Sequence, residues 1–217
     1  MRKINVITID GPSASGKGAL ARGIANSFGF NILDSGVLYR LYAYLSNMSY
    51  SSDEIATQIQ KYVRFKKSED RLSVIYKKND ITSEIRSEII AKSASEHSSK
   101  KEVREALFNI QRRFYDGKGL VADGRDMGTI IFPEAALKVF LQASPEVRAE
   151  RRANQLKEKG MSVIMHDLLE QIQQRDEEDI NRKISPLKPA DDSLVIDTSN
   201  LSIKEVEQKV MENYKKL

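Results

Sequence analysis

Gly11-Pro12-Ser13-Ala14-Ser15-Gly16-Lys17-Gly18 follows the apolar run Ile-Asn-Val-Ile-Thr-Ile over 4–9 and precedes Ala19-Leu-Ala-Arg-Gly-Ile-Ala. A buried-type strand, a glycine-bounded loop with a lysine, and a helix are the parts of a phosphate-binding P-loop. Glycine lets the backbone curl until successive N–H groups point at one anion. The helix that follows aims its positive end at the same anion. Lys17 adds a full positive charge at the outer phosphates. An ordinary Gly/Ser turn with a solvated lysine would need none of this context. Gly11 to Ala19 is therefore read as the stretch that holds the phosphates of a nucleotide.

The chain has 217 residues, enough for one sizeable domain with an insertion. A chain of this length buries roughly 70% of its extended surface. It has no cysteine, which excludes disulfides and thiolate metal sites and fits a cytoplasmic location. The N-terminus enters the first strand at once, with no signal-peptide pattern, and no apolar run is long enough to span a membrane. The net charge of +4 suits an anionic small molecule or a nucleic acid. Basic and acidic residues are interleaved rather than gathered in a stripe, which argues against a nucleic acid. His97 and His166 are far apart, lack partner ligands and are read as incidental.

Short apolar runs recur at 4–9, 31–34, 120–123, 137–141 and 194–197, and three of the last four end on Asp. Runs this short and apolar suit strands covered on both faces, hence a parallel sheet. Helical patterns fill the gaps, at 17–28, 36–47, 100–115, 145–159, 165–180 and 202–215. The alternation predicts a doubly wound α/β fold, with ligands at the carboxyl ends of the strands. Asp34 and Asp123 would lie there with the P-loop. The segment 60–98 breaks the pattern and is expected to be an inserted subdomain. It holds two short antiparallel strands, Tyr62-Val-Arg-Phe and Leu72-Ser-Val-Ile-Tyr76, joined by a turn over 66–71, with a third at Asp80-Ile-Thr82. A helix over 83–93 capped by Ser83 follows, then a polar hinge or loop over 96–102.

A P-loop does not name a reaction. The Asn-Lys-x-Asp motif of guanine-binding switches is missing. Arginine is instead placed where several copies could converge. Arg40 follows the second strand in Asp34-Ser35-Gly-Val-Leu-Tyr39-Arg40, and Arg125 lies in Gly124-Arg125-Asp126-Met-Gly128 after Asp123. Arg148, Arg151 and Arg152 share a helix face by spacing, as do Arg175, Asp179 and Arg182 if their helix continues. Arginine grips phosphate with two parallel donors and never loses its proton. The alternative for Arg148, Arg151 and Arg152 is a surface helix paired with Glu146 and Glu150. Arg22, Arg64, Arg71, Arg112 and Arg113 are read as solvated surface charges.

Asp34-Ser-Gly-x-Leu-Tyr-Arg40, Gly124-Arg-Asp-Met-Gly-Thr-x-x-Phe-Pro133, Arg175-Asp-x-x-Asp-x-Asn-Arg182 and Pro186-Leu-x-Pro-Ala190 together resemble bacterial cytidylate kinase across essentially the whole chain. The resemblance implies transfer of the γ-phosphoryl group of ATP to CMP or dCMP, with Mg²⁺. It implies a three-layer P-loop core on a five-stranded parallel sheet, a small inserted α+β region that binds the monophosphate, and a mobile lid over 148–162. By position, Gly11, Pro12, Ser13, Ala14, Ser15, Gly16, Lys17, Gly18 and Ala19 would hold ATP. Arg40 and Arg125 match arginines on the acceptor's phosphate, and Ser35, beside Tyr39, matches a residue near the cytosine pocket. Ser95, Arg104 and Asp126 match groups that read the cytosine edge. Arg175 and Asp179 match groups at the sugar hydroxyls, Arg182 one at sugar and phosphate, and Arg148, Arg151 and Arg152 lie on the lid, where with Lys17 they would offset charge on the moving phosphoryl group. The chemistry agrees: a carboxylate accepts from the cytosine amino group and a guanidinium serves its acceptors, a pattern that uracil inverts.

The chain departs from the usual P-loop at three positions. Gly18 and Ala19 leave no hydroxyl beside Lys17 for Mg²⁺, so the ion is expected on ATP phosphates and waters, helped by Ser15, Asp34 or Asp123. Ala14 replaces a common glycine, which a negative φ would tolerate. The reaction is expected to run in line with no covalent enzyme intermediate, since the acceptor phosphate is already a nucleophile. Lid closure would exclude water. Rival readings are a kinase for UMP, AMP or a sugar acid and, from another class, a nucleotide-dependent switch or RNA-binding ATPase. A monomer is the plain expectation.

Overall fold

A computed structural model describes residues 3–67, 72–158 and 160–217. In chain order the elements are β1 (Ile4–Asp10), α1 (Lys17–Phe28), β2 (Asn31–Asp34), α2 (Ser35–Ser46), α3 (Ser52–Tyr62), β3 (Val63–Lys67), β4 (Leu72–Tyr76), β5 (Asn79–Asp80), α4 (Thr82–Ile85) and α5 (Glu88–Ser98). They continue with α6 (Lys101–Arg112), β6 (Leu120–Gly124), β7 (Ala135–Gln142), α7 (Pro145–Lys157), α8 (Met165–Asn181), β8 (Leu194–Asp197) and α9 (Ile203–Tyr214). A π-helical turn, Met127–Ile131, lies between β6 and β7. Two compact units result, one of Met1–Ile32 with Gly117–Leu217, the other of Leu33–Asp116.

Five strands form one sheet in the order β2-β6-β1-β7-β8, and β1 runs parallel to both β6 and β7, as β7 does to β8. The chain leaves β1 on one side to reach β2 and returns on the other for β7. The strand order therefore reverses at β1, which puts the ligand crevice at its carboxyl end. Helix α1 turns Leu20, Ala21, Ile24 and Ala25 inward, and α9 turns Val206 and Val210 inward, onto Ile7, Ile9, Val121 and Val139 of the sheet. Helices α7 and α8 pair through a separate small core of Ala149, Ala153, Leu156, Leu168 and Ile172.

In the second unit β3, β4 and β5 form an antiparallel sheet, α2 packs on α5 and α3 on α6. The third strand is only Asn79–Asp80. The turn expected over 66–71 falls chiefly outside the described residues. Three local expectations are corrected. The helix expected over 83–93 is two, because the chain breaks at Arg86-Ser87 and Ser87, not Ser83, caps the longer one through its bond from Ile90 N. The hinge expected over 96–102 is helical at both ends, with α5 reaching Ser98 and α6 starting at Lys101. Helix α3 was not foreseen, although Ser51 and Glu54 form a reciprocal capping box at its start. His97 is not incidental: its ring packs on Tyr42 and its Nδ1 pairs with the Ser93 carbonyl at 2.8 Å.

Candidate active site

Gly11 leaves β1 with φ 149°, and a Cβ there would lie 2.3 Å from the Leu141 carbonyl oxygen of β7, so only glycine fits. The loop's carbonyl oxygens are then claimed one after another by side chains. Pro12 O accepts from Ser15 Oγ at 3.0 Å and from Lys17 Nζ at 2.6 Å. Ser13 O accepts from Arg148 Nη1 at 3.3 Å. Ser15 O accepts from Thr198 Oγ1 at 3.2 Å and from Arg151 Nη1 at 3.5 Å. A trans peptide points its N–H away from its C=O, so carbonyls bound on one side present N–H groups on the other. Ala14 has φ 59°, not the negative φ that would tolerate it without strain. Its Cβ is therefore strained, and the curl that glycine would adopt freely costs about 1 kcal/mol here.

Lys17 is 6% exposed, and Asp10, at the end of β1, is 5% exposed. Burial, then the nearby Arg125, push Lys17 down to about 7, against the pull of Asp123, Asp10 and Asp179. Burial pushes Asp10 up to about 7, although its carboxylate accepts N–H bonds from Met127 and Gly128, each at 2.8 Å. Those two bonds hold the start of the π-helical turn and so fix the backbone just after Arg125 and Asp126. A Cβ at Gly128 would lie 2.8 Å from Thr8 Oγ1 and 3.3 Å from Asp10 Oδ2, so the turn needs glycine to come this close.

Three guanidiniums face one carboxylate nearby. Arg125 Nε donates to Asp179 Oδ2 at 3.0 Å, and Arg182 Nη1 lies 3.7 Å from Asp179 Oδ1. Burial alone would raise Asp179, but Arg125, Arg175 and Arg182 outweigh it and hold the carboxyl below its ordinary range. Arg175 is driven down by burial and then by Arg125, and its buried Nε has no partner among the described residues. Helix α8 ends at Asn181, so Arg182 joins the cluster from an extended backbone rather than from the helix face. Arg148 is 2% exposed and pairs through both nitrogens with Asp176 of α8, which excludes the surface pairing with Glu146 and Glu150 as its main role. Arg151 Nη1 and Nη2 reach Thr198 Oγ1 at 3.0 Å and Thr198 O at 2.6 Å. Arg152 Nη1 reaches Gln155 Oε1 at 3.4 Å, on its own helix.

The second unit has its own buried polar group. Ser35 Oγ donates to Gln111 Oε1 at 2.8 Å. The Arg104 guanidinium stands 5.7 Å over the Tyr39 ring and donates to Ser98 O at 3.1 Å. Arg40 Nη1 donates to Ile85 O at 3.2 Å. Asp34 caps α2 by accepting from Val37 N at 3.0 Å. Ser95 is half-buried on α5.

A family model described as cytidylate kinase matches residues 7–216. The chain belongs to the cytidylate kinase family. It is 46% identical over 217 residues to a protein of Shewanella denitrificans named cytidylate kinase, covering 97% of this chain and 96% of that one. It is 45% identical over 211 residues to another so named from Serratia proteamaculans, covering 95% of this chain and 92% of that one. A gluconokinase of Sinorhizobium meliloti shares the fold, with TM-score 0.51 at 16% identity over 100% of this chain and 94% of that one.

For a cytidylate kinase the P-loop here offers little to a metal directly. The Ser15 hydroxyl is engaged with Pro12 O and Lys17 Nζ, and the described residues hold no cluster of three acidic or histidine ligands. A Cβ at Gly18 would lie 3.4 Å from Asp123 Oδ2, so a carboxylate borders the place where other P-loops carry a hydroxyl. That donor set fits Mg²⁺ held mainly by phosphates and waters. Sequence reasoning singled out Lys17, Asp123, Arg125, Asp126, Arg148, Arg151, Arg152, Arg175, Asp179 and Arg182, which lie in the first unit. Asp34, Ser35, Tyr39, Arg40, Ser95 and Arg104 lie in the second. It missed Asp10, Gln111, Asp176 and Thr198. Asp10 carried a signal, a charge closing an apolar strand immediately before the P-loop, and Asp176 stood in the Arg175-Asp-x-x-Asp motif without a role assigned to it; Gln111 and Thr198 carried none.

Proposed function

We propose that this chain transfers the γ-phosphoryl group of ATP directly to CMP or dCMP, giving ADP and the diphosphate. The observation that carries this reading is the P-loop whose carbonyls are taken by Ser15, Lys17, Arg148, Arg151 and Thr198, beside the cluster of Arg125, Arg175 and Arg182. Membership of the cytidylate kinase family supplies the substrate class. Backbone N–H groups of the loop take the β- and γ-phosphates. An anion arriving beside Lys17 favours its charged form, which then stabilises charge spread over the moving group. The acceptor phosphate needs no general base, so catalysis rests on orientation and charge compensation. Asp123 would help hold Mg²⁺ through water, and the ion would supply neutralisation of phosphate charge.

On the acceptor side, Arg40 and Arg125 are assigned to the phosphate, and Arg175, Asp179 and Arg182 to sugar and phosphate. Ser35, Ser95, Arg104 and Asp126 are assigned to the base. Tyr39 supports Arg104 through its ring face. Residues 148–162, from within α7 to the stretch before α8, serve as the lid. No helix among the described residues is long and apolar enough to cross a membrane. The test is a panel of nucleoside monophosphates with Mg²⁺ and ATP. Turnover of CMP and dCMP well above that of UMP and AMP is expected. Equal turnover of all four, or nucleic-acid-stimulated ATP hydrolysis without any need for CMP, would refute the reading.

A further inference from the structure

Gln111 is 0% exposed and lies at the end of α6, against the first turn of α2. Its carbonyl oxygen accepts the proton of Ser35 Oγ at 2.8 Å, while its Nε2 has no partner among the described residues. A buried donor left unmet is costly, whereas the acceptor that comes with it satisfies the buried Ser35 hydroxyl. What the position supplies is therefore the acceptor. An amide oxygen carries no hydrogen, so in this pair the serine must be the donor. The one proton of Ser35 is thereby used, and its oxygen can only accept from any further group that meets it. If the amide were turned over, Nε2 would donate to Ser35 Oγ and free the hydroxyl proton to serve a carbonyl.

We propose that Gln111 is a specificity-determining positioning residue. By taking the Ser35 proton it makes Ser35 an obligatory acceptor, which favours a pyrimidine edge bearing an amino group over one bearing a carbonyl. The inference rests on the reading of Ser35 as a residue at the acceptor base. Gln111 touches no substrate in this account and acts only through the hydroxyl. A pocket that accepts rejects a carbonyl strongly, because two acceptors then face each other with no proton between them.

The experiment compares kcat/KM for CMP and UMP in four proteins: the unaltered chain, Ser35→Ala, Gln111→Met and the double variant, each checked for a cooperative thermal transition. Each single change is expected to lower the CMP-to-UMP ratio by about tenfold or more, chiefly through the KM for CMP. The double variant is expected to fall no further than Ser35→Ala alone, since Gln111 acts through Ser35. A purely structural glutamine would weaken both substrates together and leave the ratio in place. If Ser35→Ala lowers the ratio and Gln111→Met does not, the inference fails while Ser35 keeps its place at the base. If Ser35→Ala also leaves the ratio unchanged, the reading of Ser35 fails as well. If the methionine variant does not fold, Gln111→Leu, which equally lacks an acceptor, takes its place and is expected to lower the ratio in the same way. An unchanged ratio in a folded Gln111→Leu protein would equally overturn the proposal.

Discussion

Arg148 and Asp176 meet as a two-pronged pair between α7 and α8, with Nη1 donating to Oδ1 at 2.9 Å and Nη2 to Oδ2. The same guanidinium donates to the Ser13 carbonyl of the P-loop at 3.3 Å and, from Nε, to the Ala143 carbonyl at 2.9 Å. Helices α7 and α8 and the P-loop thus share one buried cation. Neutralising its partner leaves that cation uncompensated, which in a mostly buried setting costs about 2–4 kcal/mol. Asp176→Asn is expected to lower the thermal midpoint by roughly 5–12 °C for a chain of this size. It should also weaken ADP binding, read by titration calorimetry, because Ser13 loses its fixed support. An unchanged midpoint and an unchanged ADP affinity would show that the pair is incidental.

Asp10 sets a pH dependence whose sign is fixed by its burial. Its carboxyl is raised from 3.8 to about 7, so the folded state binds the more protons in between. Stability from this group is fully present below pH 3.8 and is lost as pH rises through about 7. Asp10→Asn removes that slope, since asparagine does not titrate. It also turns one N–H donor onto another at the Met127–Gly128 turn, costing about 1–3 kcal/mol. Chemical denaturation between pH 4 and 7 should show the variant less stable throughout, with a flatter profile than the parent. A parallel pair of profiles would rule out Asp10 as the source.

The parts of the molecule that were legible in the sequence are those built from neighbours along the chain. The P-loop, the strands at 120–123 and 194–197, and helices α1 and α9 follow from local periodicity and glycine placement. The four residues that were missed work through distance. Asp10 holds a turn that begins 117 residues later, Thr198 bonds a carbonyl 183 residues earlier, and Gln111 meets a hydroxyl 76 residues earlier. No spacing rule encodes such pairs. The π-helical turn after Asp126 is equally silent, because Asp10 and the close approach of Gly128 to Thr8 impose it. Ala14 went astray for a related reason: its backbone follows bonds from Arg148 and Arg151 on either side, not its own preference. By contrast, α3 had a readable start in Ser51 and Glu54 and a readable buried face in Ile55 and Ile59, four residues apart.

Lys17 sets function against stability. Burial lowers it from 10.5 to about 7, so the unfolded chain binds the more protons between those values and the folded protein gains stability as pH rises from 7 towards 10.5. Lys17→Met removes both the buried charge and this dependence. The variant, without nucleotide, is expected to have a thermal midpoint at pH 7.5 at least equal to the parent's, with a flat profile from pH 7 to 9 where the parent's rises. Its turnover with CMP is expected to fall by roughly 10²–10³, the loss typical of removing one preorganised donor from a transition state. Phosphoryl transfer assays on the folded variant measure the second effect and differential scanning calorimetry the first. Near-normal turnover would remove Lys17 from the chemistry. A less stable variant would mean that the bonds from Lys17 Nζ to Pro12 O and Ser15 Oγ outweigh the cost of burying the ammonium.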